Sequence, residues 1–337
     1  MSHATPTAVP QTMRAVEFAG AGGPDVITIV DRQVPTPRAG EVLVRVAAAG
    51  INRADVGQRG GTYPPPPWAS DIPGLEVSGT IVALGPGVTG YDAGTPVCAL
   101  LAGGGYAEFV AVPVQQLLPL PAGLDLVEAA GLPEVACTVW SNLFMEANLA
   151  AGEWLLVHGG AGGIGTMATQ IATARGVRVV VTAGSAGKID FCRGFGALEG
   201  INYREEDFVE CMRQISGGQG ADVVLDIMGA KYLGRNVDVL AKDGRLVVIA
   251  LQGGATAELN LAKLMTRRLR VIGTTLRARD IEAKGRVVQG VRTGVWPLVE
   301  SGAVRPVVER IFALEQAADA HAYFDSGEHR GKILLTI

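Results

Sequence analysis

The chain has 337 residues, of which 48% are hydrophobic and 46 are glycine, and its formal net charge is −4. This length exceeds one ordinary core, so we expect two domains, and the apolar content excludes a disordered chain. The slightly acidic balance gives no support for nucleic-acid binding, and no apolar run is long enough to span a membrane.

The N-terminal part of the chain has a β-like pattern after a short tail. Residues 1–12 are polar, contain two prolines and lack an apolar signal core, so we expect a disordered tail. From Met13 to Gly131, short alternating or apolar runs are separated by glycine and proline, which predicts an irregular β domain. The runs predicted as strands are Arg14–Phe18, Val26–Val30, Glu41–Val46 and Gly79–Leu84.

The four cysteines show no metal-binding or disulfide pattern. Cys98, Cys137, Cys192 and Cys211 are far apart and form no C-x-x-C pair. We therefore expect reduced thiols, a cytoplasmic location and no zinc site built from cysteines.

From about Pro133 the pattern changes to alternating strands and helices. The predicted strands are Trp154–His158, Val177–Thr182, Gly200–Asn202, Ala221–Asp226, Arg245–Ala250 and Arg270–Thr274. The predicted helices between them are Gly163–Arg175, Lys188–Gly196, Glu205–Ile215, Lys231–Leu240 and Leu261–Arg267. Six strands with helical crossovers predict a doubly wound parallel sheet. Beyond Arg279 we expect helix through Val299 and then strands over Val307–Ala313 and Lys332–Ile337.

The first predicted strand of this sheet ends in a glycine turn. Gly160, Gly162 and Gly165 match G-x-G-x-x-G, with Gly163 and Ile164 inside the motif, and a helical pattern follows at once. These glycines permit a tight turn, close approach of the backbone to a pyrophosphate and close helix–strand packing. The turn therefore predicts dinucleotide binding and hydride-transfer chemistry.

The residues after the second strand of the sheet favour NADPH over NADH. An NAD site usually has an acid about 20 residues after the glycine turn, but no acid occurs here before Asp190. Ser185 can bond a 2′-phosphate and Lys188 can neutralise it. In the alternative interpretation, both residues only begin the next helix.

Motifs along nearly the whole chain after Met13 resemble one family. They include Ala49-Gly-Ile-Asn-Arg-Ala-Asp55, Pro73-Gly-Leu-Glu-Val-Ser-Gly79, Gly103-Gly-Gly-Tyr-Ala-Glu-Phe109, Val157–Gly165, Ile201–Asp207 and Gly331-Lys-Ile-Leu-Leu335. The chain resembles the zinc-free quinone oxidoreductase branch of the medium-chain dehydrogenase/reductase superfamily. Residues 236–244 and 276–280 are most similar to the subgroup of the tumour-suppressor-inducible quinone oxidoreductase.

The resemblance implies an α/β fold with two domains. A GroES-like catalytic domain of the β-barrel type would comprise residues 13–132 and 280–337, and a Rossmann domain over residues 133–279 would be inserted between them. The active site would lie in the interdomain cleft. Family members are homodimers or homotetramers, often joined through sheet edges of their cofactor domains.

The resemblance also implies that the chain binds no catalytic zinc. Zinc alcohol dehydrogenases of the superfamily have a cysteine ligand at the position of Asn52, a histidine ligand at Leu75 and a third ligand near Glu134. Leucine cannot bind zinc, and asparagine is a poor ligand for it. The four-cysteine lobe for structural zinc is missing as well.

The resemblance assigns candidate site residues. Asn52 and Tyr63 are the candidate catalytic residues, with an Asx-type cap and an ordinary loop aromatic as the alternatives. The candidate cofactor contacts are Asn52, Thr138, Gly160, Gly162, Gly163, Ile164, Gly165, Ser185, Lys188, Tyr203, Leu251, Gly253, Thr275, Leu276 and Lys332. In the alternative interpretations, Thr138 is a helix N-cap and Tyr203 is a surface tyrosine. Leu251, Gly253, Thr275, Leu276 and Lys332 would then be packing residues or, for the lysine, a solvated side chain. His158 is expected to be structural.

The expected activity is reduction of a quinone by NADPH, by hydride or single-electron transfer. A quinone needs no metal, because the charge that develops delocalises into an aromatic hydroquinone anion. The alternatives are an NADPH-dependent enone or 2-enoyl reductase, which needs a proton donor such as Tyr63, and a non-catalytic NADPH-binding scaffold. We expect no nucleic-acid or membrane partner.

Overall fold

The computed structural model of this protein describes residues 9–337. The strands are β1 (Thr12–Phe18), β2 (Ile27–Gln33), β3 (Glu41–Gly50), β4 (Glu76–Leu84), β5 (Pro96–Leu100), β6 (Phe109–Pro113), β7 (Leu117–Pro119), β8 (Trp154–His158), β9 (Arg178–Ala183), β10 (Glu199–Asn202), β11 (Ala221–Asp226), β12 (Leu240–Val248), β13 (Arg270–Gly273), β14 (Val308–Ala313) and β15 (Lys332–Thr336). The helices are α1 (Arg53–Arg59), α2 (Leu126–Ala129), α3 (Pro133–Val139), α4 (Gly163–Ala174), α5 (Ala186–Arg193), α6 (Phe208–Ile215), α7 (Leu233–Val239), α8 (Leu261–Thr266), α9 (Ile281–Gly294), α10 (Trp296–Glu300) and α11 (Ala317–Ser326). A π-helical segment, Trp140–Glu146, follows α3.

The chain divides into two compact units. The first comprises the chain up to Glu134, Arg277–Arg292 and Val308–Ile337, and the second comprises Val135–Leu276 and Thr293–Val307. This division differs from the predicted domain ranges mainly in placing residues 293–307 in the second unit. Of the predicted tail, residues 1–8 lie outside the described residues, and Thr12 already belongs to β1.

The first unit is built on a mixed sheet that joins both ends of the chain. Its strand order is β14-β15-β3-β4-β5-β7, and β6 also pairs with β3. The last strand, β15, runs parallel to β14 and antiparallel to β3. Its side chains enter a core that includes Val44, Ile81, Tyr106 and Leu335. Residues from the two ends of the sequence therefore share one core.

The second unit is built on a six-stranded parallel sheet. Its strand order is β10-β9-β8-β11-β12-β13. The chain places β9 and β10 on one side of β8 and then crosses over to place β11, β12 and β13 on its other side. Apolar side chains such as Leu156, Val180, Val224 and Leu246 are buried along its central strands. The carboxyl ends of all six strands lie along the same end of the sheet. Sheets of this kind bind ligands at that end, next to the two strands between which the chain crosses over, here β8 and β11. The predicted doubly wound parallel sheet is confirmed.

Most predicted strands of this sheet agree with the structure to within two residues, but β12 differs. It begins at Leu240, five residues before the predicted strand, although Lys242-Asp243-Gly244 interrupts its apolar pattern. Asp243 has φ +64°, and the pairing of β11 with β12 shifts register here, so the strand passes through an irregularity. In the first unit, the sequence did not predict α1, α2, α11 or β5–β7. Among the described residues, no helix is long and apolar enough to cross a membrane.

Candidate functional site

The glycine turn between β8 and α4 allows close approach of backbone to backbone. Gly159, at φ +73°, turns the chain directly after β8. A Cβ on Gly160 would lie 2.5 Å from the Val181 side chain. A Cβ on Gly165 would lie 2.5 Å from the carbonyl oxygen of Gly159. A Cβ on Gly162 would contact only that oxygen, at 3.6 Å, so packing requires Gly160 and Gly165 but leaves space at Gly162.

The first turn of α4 presents backbone N–H groups that no side chain caps. Gly162 is the N-cap, and Gly163, Ile164 and Gly165 begin the helix. Their N–H groups have no partner within the helix, because its hydrogen bonds start with Thr166 N donating to Gly162 O at 2.9 Å. Together with the positive end of the helix dipole, this turn suits a phosphate group. The space at Gly162 fits the pyrophosphate of a dinucleotide, and that contact stays a prediction.

Ser185, Lys188 and Tyr203 lie beyond the carboxyl ends of β9 and β10. Ser185 is the N-cap of α5, and its Oγ accepts a hydrogen bond from Lys188 N at 3.4 Å. The Tyr203 hydroxyl lies 2.8 Å from the point that a Cβ on Gly184 would occupy. Ser185 thus begins the next helix, as the alternative interpretation expected, but its side chain is exposed and Lys188 is half-buried. Contact of these residues with a 2′-phosphate stays a prediction.

Leu251, Gly253, Thr275 and Leu276 lie at the same sheet edge. The first two follow β12 and the last two follow β13. Gly253 N donates to Met228 O at 2.7 Å, which holds its loop against the segment after β11. Leu251 and Thr275 are exposed and Leu276 is buried. The topology therefore gathers the predicted cofactor contacts of this unit along one edge.

Thr138 does not begin a helix, so its interpretation as an N-cap is wrong. It is the second-last residue of α3, because the helix starts earlier, at Pro133, a residue favoured in a first turn. The Thr138 carbonyl accepts from Asn142 Nδ2 at 2.8 Å, and Asn142 Oδ1 accepts from Thr274 Oγ1 at 2.5 Å. Thr138 therefore lies near the end of β13, beside the Thr275 loop.

His158 has a structural role inside the second unit. Its Nε2 lies 2.8 Å from Asn236 Oδ1, and its Nδ1 lies 3.1 Å from Thr182 Oγ1. Burial lowers the pKa of His158 to about 4, which keeps the ring neutral. Nearby, the Asp226 carboxylate accepts from the N–H groups of Met228 and Gly229, both at 2.8 Å. This carboxylate therefore holds the loop after β11, which follows one of the two strands between which the chain crosses over.

Asn52 lies in the first unit, at the start of α1. It is the N-cap, and its backbone N–H donates to Asp55 Oδ2 at 2.8 Å. Its side chain makes other bonds: Oδ1 accepts from Lys332 Nζ at 2.8 Å, and Nδ2 donates to Glu76 Oε1 at 3.0 Å. The residue as a whole is half-buried. Asn52 is therefore both the cap of α1 and part of a polar cluster.

Lys332 is buried at the start of β15, with a side chain that is 4% exposed. Its Nζ donates to Ile51 O at 2.9 Å and to Asn52 Oδ1, and it pairs with Glu76 Oε1 at 2.6 Å. The ammonium therefore has two hydrogen-bond acceptors and a paired carboxylate in this buried cluster. Contact between Lys332 and a cofactor phosphate would require the ammonium to leave these partners, and that contact stays a prediction.

Two further acids lie close to this ion pair: Asp55 is buried, and Glu134 is half-buried. The second oxygen of Glu76 accepts from Glu134 N at 2.8 Å. Burial and the charge of Glu76 raise the pKa of Glu134 to about 8, although Lys332 and Lys284 oppose this shift. Burial raises the pKa of Asp55 to about 6, against its hydrogen bonds from Asn52, Tyr106 and Gly74. No group of three or more His, Cys, Asp or Glu side chains among the described residues is arranged to hold a metal ion.

Tyr63 is half-buried in the loop after α1, close to Arg277. The guanidinium of Arg277 lies 5.6 Å from the centre of the Tyr63 ring and donates to Tyr63 O at 3.3 Å. It is held by Gln58 Oε1 at 2.6 Å and Ala102 O at 2.8 Å. Burial and the charge of Glu134 raise the pKa of Tyr63, so its hydroxyl stays protonated and can donate. Asn52 and Lys332 thus share contacts with Glu76, and Tyr63 lies within the electrostatic influence of Glu134.

The sequence analysis missed four polar residues of this cluster: Glu76, Asp55, Arg277 and Lys284. A signal existed for Glu76, because a single acid in the apolar run Leu75-Glu-Val77 is expected to be paired when it is buried. A signal also existed for Asp55, because an acid three residues after an N-cap Asn suits a capping box. Arg277 and Lys284 carried no local signal, because their partners are distant in sequence.

Comparison with known proteins gives matches along nearly the whole chain. Residues 38–122 match the family described as Alcohol dehydrogenase GroES-like domain, and residues 163–289 match the family described as Zinc-binding dehydrogenase. The quinone oxidoreductase of Rattus norvegicus is 33% identical over 96% of this chain and 98% of its own length. The quinone oxidoreductase of Homo sapiens is 31% identical over the same shares of the two chains.

Solved structures agree with these matches. The quinone oxidoreductase of Escherichia coli, solved as a complex with NADPH, has a TM-score of 0.86 at 30% identity and covers 96% of this chain and 100% of its own. A structure described as an NAD-dependent alcohol dehydrogenase has a TM-score of 0.84 at 31% identity over the same shares. The predicted pairing of a Rossmann sheet with a GroES-like domain is confirmed. The chain is an oxidoreductase that belongs to the quinone oxidoreductase branch of the medium-chain dehydrogenase/reductase superfamily.

Proposed function

We propose that this protein is an NADPH:quinone oxidoreductase that works without zinc. The observation that carries the proposal is the uncapped start of α4 beside an acid-free end of β9, where Ser185 and Lys188 lie. An anionic 2′-phosphate is tolerated there, whereas an acid would repel it. The Escherichia coli relative complexed with NADPH supports the same choice of cofactor.

Zinc independence is supported by a cation already present at Asn52. The Lys332 ammonium bonds to Asn52 Oδ1, so a zinc ion bound to this residue would lie against a buried positive charge. Leu75 is 1% exposed and has no donor atom for a metal. We expect metal analysis of the purified protein to give less than stoichiometric zinc, and one zinc per chain would contradict this part of the proposal.

The residues of this chain would contribute binding and orientation. When bound, NADPH supplies the hydride. The turn at Gly162 would hold its pyrophosphate, and Asn52 and Tyr63 would orient the reacting groups. A quinone tolerates the lack of a Lewis acid, because its developing charge spreads over the ring, so proximity supplies much of the catalysis. One proton completes the hydroquinone.

A second candidate, reduction of an enone or 2-enoyl thioester, is favoured by one observation. This reaction needs a proton donor for the α-carbon, and Tyr63 offers a half-buried hydroxyl in the same unit as Asn52. Tyr63 would then be the general acid. The two candidates share the cofactor and differ in the electron acceptor.

A substrate panel separates these functions. Purified protein is mixed with NADPH and with ortho-quinones, para-quinones, enones or a 2-enoyl thioester, and NADPH absorbance is followed against a blank without protein. Turnover of quinones supports the proposal, and turnover of enones alone reverses the ranking. Binding of NADPH with no oxidation above the blank identifies a non-catalytic scaffold. Electron paramagnetic resonance during turnover detects a semiquinone if transfer occurs by single electrons.

Lys188→Ala tests the cofactor choice. We expect the variant to weaken NADPH binding about tenfold, the loss of one charge-assisted bond, and to leave NADH binding unchanged. Calorimetric titration with both cofactors measures this. The matched control is Lys242→Ala, an exposed lysine in the first residues of β12, away from the carboxyl ends of the strands. Equal affinity of the wild-type protein for both cofactors would contradict NADPH preference.

We also infer a homodimer or homotetramer in the cytoplasm. All four cysteines are free thiols, which suits a reducing compartment. The edge strand β13 and its neighbour α8 carry exposed apolar side chains that a second copy would cover. Localisation by fluorescence microscopy in the source cell tests the first inference.

A further inference from the structure

A buried ion pair holds the side chain of Asn52 in the first unit. Lys332 and Glu76 are 2.6 Å apart, and their side chains are 4% and 0% exposed. The Lys332 ammonium donates to Ile51 O and Asn52 Oδ1 and forms its ion pair with Glu76 Oε1. Because a buried charge that loses its partner is strongly destabilising, this geometry is tightly fixed.

The ion pair fixes the orientation of the Asn52 side-chain amide. Lys332 can only donate and the Glu76 carboxylate can only accept, so Oδ1 must face Lys332 and Nδ2 must face Glu76. Nδ2 donates to Glu76 Oε1 at 3.0 Å and to Gly50 O at 3.2 Å, which uses both of its N–H bonds. Only Oδ1 has hydrogen-bonding capacity left, because a carbonyl oxygen accepts two bonds.

The surrounding backbone is shaped for this arrangement. A Cβ on Gly50 would lie 2.1 Å from Glu76 Oε1, so glycine is needed for the carboxylate to approach. Glu76 Oε2 accepts from Glu134 N at 2.8 Å, and Asp55 Oδ2 accepts from Asn52 N at 2.8 Å. Glu76 is therefore anchored at both carboxylate oxygens, and Asn52 is anchored at its backbone as well as its side chain.

We propose that Lys332 and Glu76 are positioning residues that fix Asn52 as a hydrogen-bond acceptor toward the bound ligand. Asn52 can then receive a bond from an O–H or N–H group, such as a hydroxyl or carboxamide on the nicotinamide half of the cofactor. It cannot donate to a quinone carbonyl, because both of its N–H bonds are used. The proposal rests on the proposed function and assigns Asn52 to the cofactor and not to the quinone.

A mutant cycle tests whether Lys332 and Glu76 act through Asn52. The double variant Lys332→Met/Glu76→Gln removes both buried charges together, which avoids an unpaired one. We expect its KM for NADPH to rise about tenfold, the loss of one positioned bond, with a smaller change in kcat. The triple variant that also carries Asn52→Ala should have the same KM for NADPH as the single variant Asn52→Ala. The control Lys263→Met breaks an exposed ion pair with Asp238 and should leave kinetics unchanged.

A second measurement uses the wild-type protein and does not depend on activity. Side-chain amide resonances are recorded with 15N-asparagine labelling, and Asn52 is identified by the resonance lost in Asn52→Ala. We expect slow hydrogen exchange of both Nδ2 protons in the wild type and faster exchange in the double variant. If the Nδ2 protons exchange slowly but the protein oxidises no NADPH with any acceptor, the proposed function is refuted and the orientation of Asn52 is not. The inference would be overturned by fast exchange of these protons in the wild type or by an unchanged KM for NADPH in the double variant. It would also be overturned if the triple variant had a higher KM for NADPH than Asn52→Ala alone.

Discussion

Glu76 shows how one buried carboxylate organises several neighbours. It pairs with the Lys332 ammonium and accepts hydrogen bonds from the Asn52 amide and from Glu134 N. Burial raises the pKa of the Glu134 side chain, and the charge of Glu76 raises it further, because two carboxylates in a desolvated region repel each other. The protonation state of Glu134 therefore depends on a residue that belongs to another element.

Glu134→Gln should change stability in a way that depends on pH. The pKa of Glu134 is raised to about 8 in the folded protein, so folding favours its protonated form. In the wild type this contribution is present at low pH and is lost as pH rises through 8. A neutral glutamine keeps it, so the Tm of the variant relative to wild type should increase by several degrees between pH 4.5 and 8.

Scanning calorimetry across this pH range provides the measurement, with Glu315→Gln as the control. Glu315 is an exposed acid with its pKa lowered by a backbone hydrogen bond and by Arg14, so its replacement should give no such increase. A constant Tm difference for Glu134→Gln would show that this residue is ionised throughout.

Two variants of Tyr63 separate the role of its ring from that of its hydroxyl. If the ring stacks on a quinone, Tyr63→Ala should raise the KM for quinone about tenfold, whereas Tyr63→Phe should stay close to wild type. If the hydroxyl donates the proton, Tyr63→Phe should lower kcat about a hundredfold with little change in KM. Steady-state kinetics at fixed NADPH distinguish these results. Wild-type kinetics in both variants would exclude Tyr63 from the site.

The glycine turn shows that the glycines of one motif have different roles. Gly165 packs against the Gly159 carbonyl, whereas Gly162 has space for a Cβ and begins α4. The same motif therefore combines a packing requirement with a binding requirement. Alanine replacements should separate the two.

We expect Gly165→Ala to lower the free energy of unfolding by about 1–3 kcal/mol, because its methyl group would overlap backbone oxygens. Gly162→Ala should keep the wild-type Tm but weaken NADPH binding at least about tenfold, because the methyl group would occupy the phosphate position. Urea unfolding and calorimetric titration test both. The control is Gly234→Ala in α7, where a Cβ contacts nothing within 4 Å. Normal NADPH binding by Gly162→Ala would argue against this phosphate site.

The second unit was predictable because its signals are local. Buried strands such as Trp154–His158 and Ala221–Asp226 are apolar runs followed by turn residues, and their predicted bounds are those of β8 and β11. Helix α1 was not predicted, because it has seven residues and its two buried side chains, Asp55 and Arg59, are charged. The cluster around Asn52 was predicted only in part. Lys332 is 280 positions away from Asn52, so no spacing rule connects them.

At the scale of the molecule, the edge of the parallel sheet at β13 carries apolar surface. In the described part of the chain β13 pairs with β12 alone, and Val271 is 41% exposed. In the adjoining helix α8, Leu261 and Met265 are 62% and 75% exposed. An unpaired strand beside apolar side chains suits association with a second copy.

If the proposed homo-oligomer associates through β13, Val271→Asp/Met265→Glu should lower its mass toward that of a monomer, because both changes place charge where apolar surface would be buried. Light scattering coupled to size-exclusion chromatography measures the mass. Leu84→Glu, an exposed apolar position at the end of β4 in the first unit, is the control and should keep the wild-type mass. A monomeric wild-type protein, or an unchanged mass of the double variant, would contradict association through β13.

The position of β15 has a consequence for the order of folding during synthesis. This strand lies between β14 and β3 in the sheet, yet most of the second unit separates it from β3 in the chain. The ribosome makes residues 135–276 after β3 and before β15. Strand β3 can therefore pair first with β4 and β6, and it gains β15 only after that unit has been synthesised. Because Lys332 is the first residue of β15, its ammonium reaches Asn52 only at that stage.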